Sequence, residues 1–401
     1  MRVPAPCYQL EADLAAHLPE LRPAQRAGLA LWVVGTVLAH SACQSAVLTA
    51  LEPLGYARHA TRQRLREWTY AGAERAAPCA TTLEVAICFA PLLRWVLRWW
   101  QGETLPLAID ATSLGKRWVV IAVCVLYRGC AIPVAWHVKP GPGRGPWIAP
   151  LQALLAALAP AVPPTMTVLV LTDRGLWSPR LWHSITDLGW HPLMRVRPDA
   201  TFAPRGLPRR PARTLVPGAG HAWVGAGTAF KHRDVRRQGT LVVVWEAGQD
   251  EPWLVLTDLD PDVAGVVWYG LRVWVELGFR VLKSLGWQWE RMRRTHAERV
   301  ARHWLVLAVA TLVTLAYGTR VEDARTLGLA PANLRAPRPR PAGPDRRTVS
   351  VFARGLAWLQ VQLLRGQRRW RRLWLLPQPL PDPAPDLLVV YHRLPVLEVA
   401  A

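Results

Sequence analysis

The sequence predicts an α/β fold with a mixed sheet, a β-rich insertion and helical regions at both ends. Three observations support this prediction. Apolar residues recur at helical spacing in residues 1–85 and again after residue 285. Between them, apolar runs of strand length, rich in Val and Ile, alternate with helical segments up to about residue 198. Short strand patterns then fill residues 200–262, which we interpret as an insertion.

Positive charge is the strongest signal in the composition. The chain has 401 residues, of which 51% are hydrophobic. Its formal net charge is +21, and most of its basic residues are Arg. Arg pairs bidentately with phosphate, and a large positive field attracts polyanions, so nucleic acid is the predicted partner. A bias in genomic base composition, which also raises Ala, Pro and Trp, would explain part of the excess.

The cysteine and hydropathy patterns disfavour disulfide, zinc and membrane classes. None of the six Cys lies in a C-x-x-C pair, and no His/Cys cluster has zinc spacing. We therefore expect buried free thiols in a cytoplasmic protein, without a signal peptide. A mean hydropathy of +0.10 leaves a membrane protein as a rival. However, the apolar stretches 29–39 and 304–317 are shorter than the roughly 20 residues that span a bilayer, and we interpret both as core helices.

Residues 1–100 form the predicted helical N-terminal, DNA-binding region. A buried helix follows Pro23, and two short helices flank a turn at residues 53–55. The second short helix carries several Arg, namely Arg58, Arg62, Arg64 and Arg66. The pair is typical of a helix-turn-helix that contacts DNA. A solvated basic face would give the same pattern, so both interpretations stay open.

The predicted catalytic domain spans residues 101–320 and contains five strands before the insertion. Three strands in a meander are followed by a helix, a strand, a second helix and a fifth strand. Crossover helices of this kind indicate a parallel part of the sheet. After the insertion, residues 269–283 read as one amphipathic helix, and residues 287–318 are helical by pattern.

The last predicted region, residues 321–401, has no globular pattern of its own. A Pro/Arg linker occupies residues 336–347, a basic helix residues 351–374, and a Pro-rich tail follows from Pro377.

Three carboxylates mark the candidate site. Asp110 lies inside the first apolar strand, Asp173 ends the fourth, and Glu276 lies on the amphipathic helix. An acidic residue within an apolar strand costs free energy unless it is paired or binds a metal. Each Asp alone is also typical of a turn or a cap. Together the three supply hard oxygen ligands suited to divalent cations such as Mg²⁺.

The amphipathic helix presents four polar residues within an arc of roughly 60° at 100° per residue. These are Tyr269, Arg272, Glu276 and Lys283. A solvated polar face with an ion pair would be the simplest explanation.

The spacing of the four residues nevertheless resembles the Y-(2)-R-(3)-E-(6)-K pattern of insertion-sequence-four-type DDE transposases. AIDAT around Asp110 and TDRGLWSPRLW around Asp173 are similar to the first and second Asp regions of that family. The resemblance covers about residues 100–320. It implies an RNase H-like catalytic core with a β insertion before the Glu helix.

The resemblance also implies roles for individual residues. Asp110, Asp173 and Glu276 would be catalytic and would hold two Mg²⁺ or Mn²⁺ ions. Trp253, at the end of the insertion, would stack on a flipped base, although with 22 Trp in the chain a role as core filler is an open alternative. The remaining implied DNA contacts are Tyr269, Arg272, Lys283 and Arg174.

The predicted function is therefore metal-dependent DNA cleavage at transposon ends and strand transfer into target DNA. The partners would be double-stranded DNA and a second copy of the chain in the DNA complex, in a bacterial cytoplasm at the nucleoid, with no membrane partner. The alternative is a catalytically silent, transposase-derived DNA-binding protein, which would not need all three carboxylates.

Overall fold

The structure is a computed structural model that describes residues 5–75, 82–141, 147–264, 266–326, 349–365, 375 and 390–391. Its helices are α1 (Ala5–His17), α2 (Pro23–Ala39), α3 (Gln44–Leu51), α4 (Arg58–Trp68), α5 (Phe89–Leu97), α6 (Ile148–Leu158), α7 (Pro179–Thr186), α8 (Val266–Gly270), α9 (Val273–Leu282), α10 (Ala297–Thr326) and α11 (Val351–Leu364). Its strands are β1 (Thr104–Leu114), β2 (Trp118–Tyr127), β3 (Cys130–Pro140), β4 (Thr167–Thr172), β5 (His191–Arg195), β6 (Thr201–Pro204), β7 (Arg210–Pro211), β8 (His221–Ala229), β9 (Arg237–Trp245), β10 (Trp253–Thr257) and β11 (Val390–Tyr391).

All described strands join one sheet in the order β3-β2-β1-β4-β5-β10-β9-β8-β6-β7, with β11 beside β8. β1, β2 and β3 form an antiparallel meander, and β4 and β5 run parallel to β1. Arg128 and Gly129 connect β2 to β3 with φ of 44° and 79°. Two consecutive positive φ values are typical of the tight hairpin turn that matches strand twist. The five strands, the meander and the parallel part confirm the predicted α/β class with an RNase H-like core.

The insertion is continuous with this core. β10 pairs antiparallel with β5, and β9, β8 and β6 extend the sheet outward from it. The predicted β-rich insertion in residues 200–262 is thus confirmed. It lengthens the main sheet on the β5 side and returns the chain directly to α8.

A long buried helix, α10, lies at the centre of the helical layer. It packs on β3 and against α2 and α11, and residues 303–319 of it are buried. Among the described residues, Ala297–Glu322 of α10 is long and apolar enough to cross a membrane, and so are α2 and α3 taken together, although the chain bends between them. In α10, however, 89% of the most apolar 18-residue stretch is buried inside the protein. Residues 29–39 and 304–317 therefore lie in core helices, as predicted.

The N-terminal helices share the core of the rest of the chain. Buried apolar residues form one cluster that extends from Cys7 to Leu375, and the division of the chain at about residue 100 stays a prediction. α3 and α4 flank a turn that ends at Gly55 (φ 86°), as the sequence predicts. The four Arg of α4 are exposed. Of the cysteines that the structure describes, Cys43 is half-buried and the others are buried free thiols.

The prediction of a helix from residue 287 onward is wrong in its first part. α10 begins only at Ala297, and residues 289–291 form one short 3₁₀ turn. Gln288 has a φ of 51°, while the neighbouring Trp287 and Trp289 are both fully buried. A left-handed residue interrupts a right-handed helix, so the helix cannot run through Gln288. The linker 336–347, residues 366–374 of the predicted basic helix and nearly all of the tail lie outside the described residues.

Close contact between α9 and the start of β3 positions the site helix on the sheet. A Cβ added at Gly278 would lie 2.7 Å from the Cβ of Ala131 and 3.0 Å from its backbone N. Both distances are too short for a normal contact, and the obstructing atoms belong to a buried residue of β3, a strand that is paired along its length with β2. Only glycine therefore allows α9 to lie this close to β3.

Gly278→Ala is expected to lower the free energy of unfolding by about 1–3 kcal/mol, because overpacking a rigid contact outweighs better helix propensity. Urea unfolding would measure this. Gly218→Ala is the control, since nothing lies within 4 Å of a Cβ there, and we expect a change within about 0.5 kcal/mol. Equal stability of both variants would show that α9 can move away from β3 freely.

Candidate active site

The first two carboxylates lie side by side on neighbouring parallel strands. Ile109 of β1 is in register with Thr172 of β4. Asp110 and Asp173 are the residues that follow these two partners along the chain. Asp110 is still within β1, whereas Asp173 directly follows β4. Ligand sites of sheets with parallel strands lie at these carboxyl ends. The sheet therefore determines the separation of the two Asp.

Each Asp uses one carboxylate oxygen locally and directs the other into the site. Oδ1 of Asp110 accepts a hydrogen bond from the N–H of Ala111 at 2.7 Å, and Oδ1 of Asp173 accepts one from Arg174 at 2.6 Å. Oδ2 of Asp110 lies 3.0 Å from Nη2 of Arg272, and Oδ2 of Asp173 lies 3.7 Å from the same atom. The two Oδ2 atoms are thus no farther apart than the sum of those distances.

The helix that supplies Arg272 differs from the prediction. Residues 269–283 do not form one helix, because α8 ends at Gly270 and α9 begins at Val273. At the break, the N–H groups of Leu271 and Arg272 bond to carbonyls three residues back, which tightens the turn. Gly270 has low helix propensity, so the helix breaks here at little cost.

Beyond the break, Arg272 and Glu276 stay one helical turn apart, whereas Tyr269 before it is buried. Tyr269 is 3% exposed and donates its hydroxyl hydrogen to the carbonyl of Thr172 at 3.2 Å. This bond anchors α8 to the end of β4, beside Asp173. Burial raises the pKa of the Tyr269 phenol. Tyr269 therefore supports the site from within the core, and the predicted arrangement on one exposed arc is wrong.

The third carboxylate joins the other two through the same guanidinium. Nη1 of Arg272 donates to Oε1 of Glu276 at 2.8 Å, one turn along α9. All three predicted acidic residues therefore contact Arg272, although they come from β1, the end of β4 and α9. We call this group the carboxylate cluster: Asp110, Asp173, Glu276 and Arg272.

Burial decreases from the centre of the carboxylate cluster outward. The side chain of Arg272 is 15% exposed and that of Asp110 18%, whereas Glu276 is 54% exposed. Burial raises the pKa of Asp110, and Arg272 acts in the opposite direction. Burial alone would lower the pKa of Arg272, but Tyr269 and Asp110 raise it overall. The guanidinium stays charged, and three ionised carboxylates would exceed its charge by two.

The cluster has the chemistry of a divalent metal site, but the guanidinium fills its centre. Carboxylate oxygens are hard ligands that Mg²⁺ and Mn²⁺ prefer. As the side chains stand, the described residues contain no group of three His, Cys, Asp or Glu close enough to hold a metal. Arg272 lies among the three carboxylates and balances part of their charge instead.

A match to a family model identifies the chain. The model of the transposase DDE domain matches residues 104–313, more than half of the chain, from the first residue of β1 into α10. The chain belongs to the transposase DDE domain family. DDE transposases are DNA-acting, nuclease-type enzymes that generally use divalent metal ions, and the matched range contains all three carboxylates.

The chain also has a distant structural likeness to a solved transposase structure. The cryo-EM structure of the piggyBac transposase synaptic complex with hairpin DNA is similar to the chain, with a TM-score of 0.43 and 12% sequence identity. The likeness covers 95% of this chain and 84% of that one. Among curated proteins, none matches the sequence significantly.

The remaining predicted DNA contacts of the transposase are Trp253, Arg174 and Lys283. Trp253 begins β10, is half-buried, and packs edge-to-face on Tyr269 with ring centroids 5.6 Å apart. Arg174 donates to Glu251 at 2.9 Å. Lys283 directly follows α9 as its C-cap, is half-buried, and forms no ion pair with any described residue. The structure brings Trp253 near the cluster through Tyr269, and the DNA roles of these residues stay predictions.

Glu251 is a neighbour of the cluster that sequence reasoning missed. It accepts hydrogen bonds from Arg174 and from Arg195 of β5, which joins the Asp173 loop to the start of β10. Nothing in the sequence marks it, because it lies in a polar turn of the insertion far from Asp173.

Proposed function

We propose that the protein is a transposase of the insertion-sequence-four type. It cuts DNA strands at the ends of a mobile element and joins the released 3′ hydroxyl to target DNA. Asp110, Asp173 and Glu276 hold divalent metal, either two Mg²⁺ or two Mn²⁺ ions. The observation that carries this proposal is the contact of all three carboxylates, from three separate elements, with one guanidinium.

The metal would supply an activated hydroxyl nucleophile and stabilise the leaving oxygen of the phosphodiester. The residues of the chain supply position and charge. The two Asp sit on paired strands, and Glu276 approaches from α9, so the ligands surround one space. When Arg272 leaves that space, its guanidinium is one helical turn from Glu276 and can pair with a phosphate oxygen of the DNA. Tyr269 keeps α8 fixed to β4.

Cleavage of DNA that carries the flanking ends of the element tests the proposal. Labelled duplexes with those ends should be nicked at the element boundary with Mg²⁺ or Mn²⁺ and left intact with EDTA. Binding of the same duplexes without cleavage under any metal would favour the catalytically silent alternative. Sedimentation of the complex would test the proposed homodimer, and fractionation of cells the proposed cytoplasmic, nucleoid-associated location.

Trp253 offers a separate test of DNA handling near the cluster. We propose that its half-buried indole stacks on a base that leaves the duplex beside the cut. Trp253→Ala should then slow cleavage of intact duplex by about 5- to 150-fold, the equivalent of one lost stacking contact of roughly 1–3 kcal/mol.

An abasic nucleotide at the flipped position should partly restore the rate of the Trp253→Ala variant, because the cost of unstacking is already removed. Trp245→Ala, at a half-buried indole in the neighbouring strand β9, is the control. An equal loss on intact and abasic duplex would mean that Trp253 only packs against Tyr269.

A further inference from the structure

Among the described residues, one cation holds the three acidic side chains of the carboxylate cluster together. Nη2 of Arg272 lies 3.0 Å from Oδ2 of Asp110 and 3.7 Å from Oδ2 of Asp173. Nη1 of the same guanidinium lies 2.8 Å from Oε1 of Glu276. No other Lys, Arg or His that the structure describes forms an ion pair with any of these carboxylates. The position of the Arg272 side chain therefore determines how much negative charge in the cluster stays uncompensated.

The carboxylate oxygens that Arg272 contacts are the ones that a divalent ion would need. Oδ1 of Asp110 and Oδ1 of Asp173 each accept the N–H of the following residue, which leaves Oδ2 of each Asp as the oxygen directed into the site. Mg²⁺ and Mn²⁺ bind carboxylate oxygens directly. The guanidinium and a metal ion therefore compete for the same oxygens, and their like charges repel each other at this distance.

The contacts with the carboxylates leave one donor of the Arg272 guanidinium unused. Its Nε is buried and has no hydrogen-bond partner among the described residues. A buried N–H without a partner costs free energy. Two N–H groups of one guanidinium can bind two oxygens of one phosphate at the same time. A phosphate at the cluster would therefore offer Arg272 a second acceptor that the carboxylates do not supply.

Arg272 can leave the carboxylates without a change in the backbone. The cluster is open to solvent, since the side chains of Asp173 and Glu276 are 42% and 54% exposed. The N–H of Arg272 donates to the carbonyl of Tyr269 at 2.9 Å, and the Tyr269 hydroxyl bonds in turn to the end of β4. Rotation of one side chain is therefore enough to move the guanidinium from the carboxylates toward a bound DNA strand.

We propose that Arg272 couples metal binding to DNA binding. In the free protein its guanidinium occupies the carboxylate cluster, and in the DNA complex it pairs with a phosphate and leaves the three carboxylates to the metal. The inference rests on the proposed function and concerns the regulation of the same site. Without DNA, the guanidinium opposes metal binding. Without metal, its departure leaves three carboxylates that repel one another. Each ligand therefore favours the other, and linkage makes the two effects equal.

Calorimetric titration of the full chain with Mn²⁺, alone and with a duplex that ends at the element boundary, measures this coupling. Such a duplex has no strand left to cut, so binding is observed without cleavage. The duplex should raise the Mn²⁺ affinity of the unmodified chain about tenfold or more, and Mn²⁺ should raise its duplex affinity by the same factor. Direct contact between the metal and a DNA phosphate could also contribute to this effect, so the comparison with variants of Arg272 decides.

Two variants of Arg272 and one control separate these contributions. In Arg272→Gln the duplex should raise Mn²⁺ affinity by less than about threefold, because no guanidinium remains to be displaced. Arg272→Lys keeps one positive charge but lacks the fork that binds two phosphate oxygens, so the effect of the duplex should fall by at least about threefold. Arg280→Gln removes the same charge from an exposed position on α9, and the effect of the duplex should stay within about twofold of that in the unmodified chain.

The outcomes separate this inference from the proposed function. An equal effect of the duplex in the unmodified chain and in both Arg272 variants would overturn the inference, since metal and DNA would then be coupled only through direct contact. Unchanged Mn²⁺ affinity of the unmodified chain with duplex bound would also overturn it. Neither result would affect the proposed function, which requires cleavage of intact end duplexes. Absence of that cleavage, together with loss of the coupling in Arg272→Gln, would contradict the proposed function and leave the inference in place. Thermal unfolding checks that each variant is folded, and Arg272→Lys decides if Arg272→Gln is not.

Discussion

Glu276→Gln is expected to reduce DNA strand cleavage by about 100- to 1,000-fold, the loss typical of removing one group that stabilises transition-state charge. The amide keeps the size of the side chain but removes one of the three negative ligands. Glu276 is half exposed and its ion pair with Arg272 spans one helical turn, so the stability of the fold should change by less than about 1 kcal/mol.

Cleavage rates and duplex affinity, measured on the same preparations, check this expectation. Duplex affinity should stay within about threefold, since phosphate contacts of basic residues dominate DNA binding. Glu20→Gln is a suitable control because Glu20 is an exposed carboxylate on the N-terminal part of the chain. Cleavage by Glu276→Gln at the rate of the unmodified chain would show that Glu276 has no catalytic role.

Arg272→Gln is expected to raise the affinity of the free protein for Mn²⁺ by about tenfold or more, equivalent to about 1.4 kcal/mol. In the unmodified chain a metal ion must displace a guanidinium that contacts three carboxylates at 3.0, 3.7 and 2.8 Å. Without Arg272 the same carboxylates repel one another and have no competing cation. In the absence of metal, the variant should therefore be less stable than the unmodified chain. Addition of Mn²⁺ should stabilise the variant more than it stabilises the unmodified chain.

Calorimetric titration and thermal unfolding with and without Mn²⁺ would measure both effects, independently of cleavage. Arg174→Gln is a matched control, since Arg174 adjoins Asp173 but its guanidinium pairs with Glu251. Its Mn²⁺ affinity should change by less than about twofold, consistent with an exposed ion pair. Weaker or unchanged Mn²⁺ binding by Arg272→Gln would show that the guanidinium does not occupy the position of the metal.

The strands and the acidic positions could be predicted because they depend on local pattern. Apolar runs interrupted by a single Asp identify both a buried strand and a residue that needs a partner. Arg272 and Glu276 also lie one helical turn apart, as their spacing in the sequence predicts. These features require no knowledge of distant parts of the chain.

The features that the sequence could not provide depend on contacts between distant segments. The break after Gly270 is held by the bond of Tyr269 to Thr172 and by the ion pairs of Arg272, none of which periodicity reveals. Residues 287–296 keep a helical composition, yet Gln288 is left-handed and residues 289–291 form one 3₁₀ turn.

The pairing of β1 with β4 has a consequence for how the carboxylate cluster can vary. Asp110 and Asp173 follow hydrogen-bonded partners on parallel strands, so their separation is a property of the backbone ladder. Glu276 belongs to a helix interrupted just before it and resting on β3 through a glycine contact. The cluster therefore has two rigid members and one adjustable member. Any change in the geometry of the cluster that keeps the hydrogen bonds of the sheet must therefore come from α9 or from the side chains.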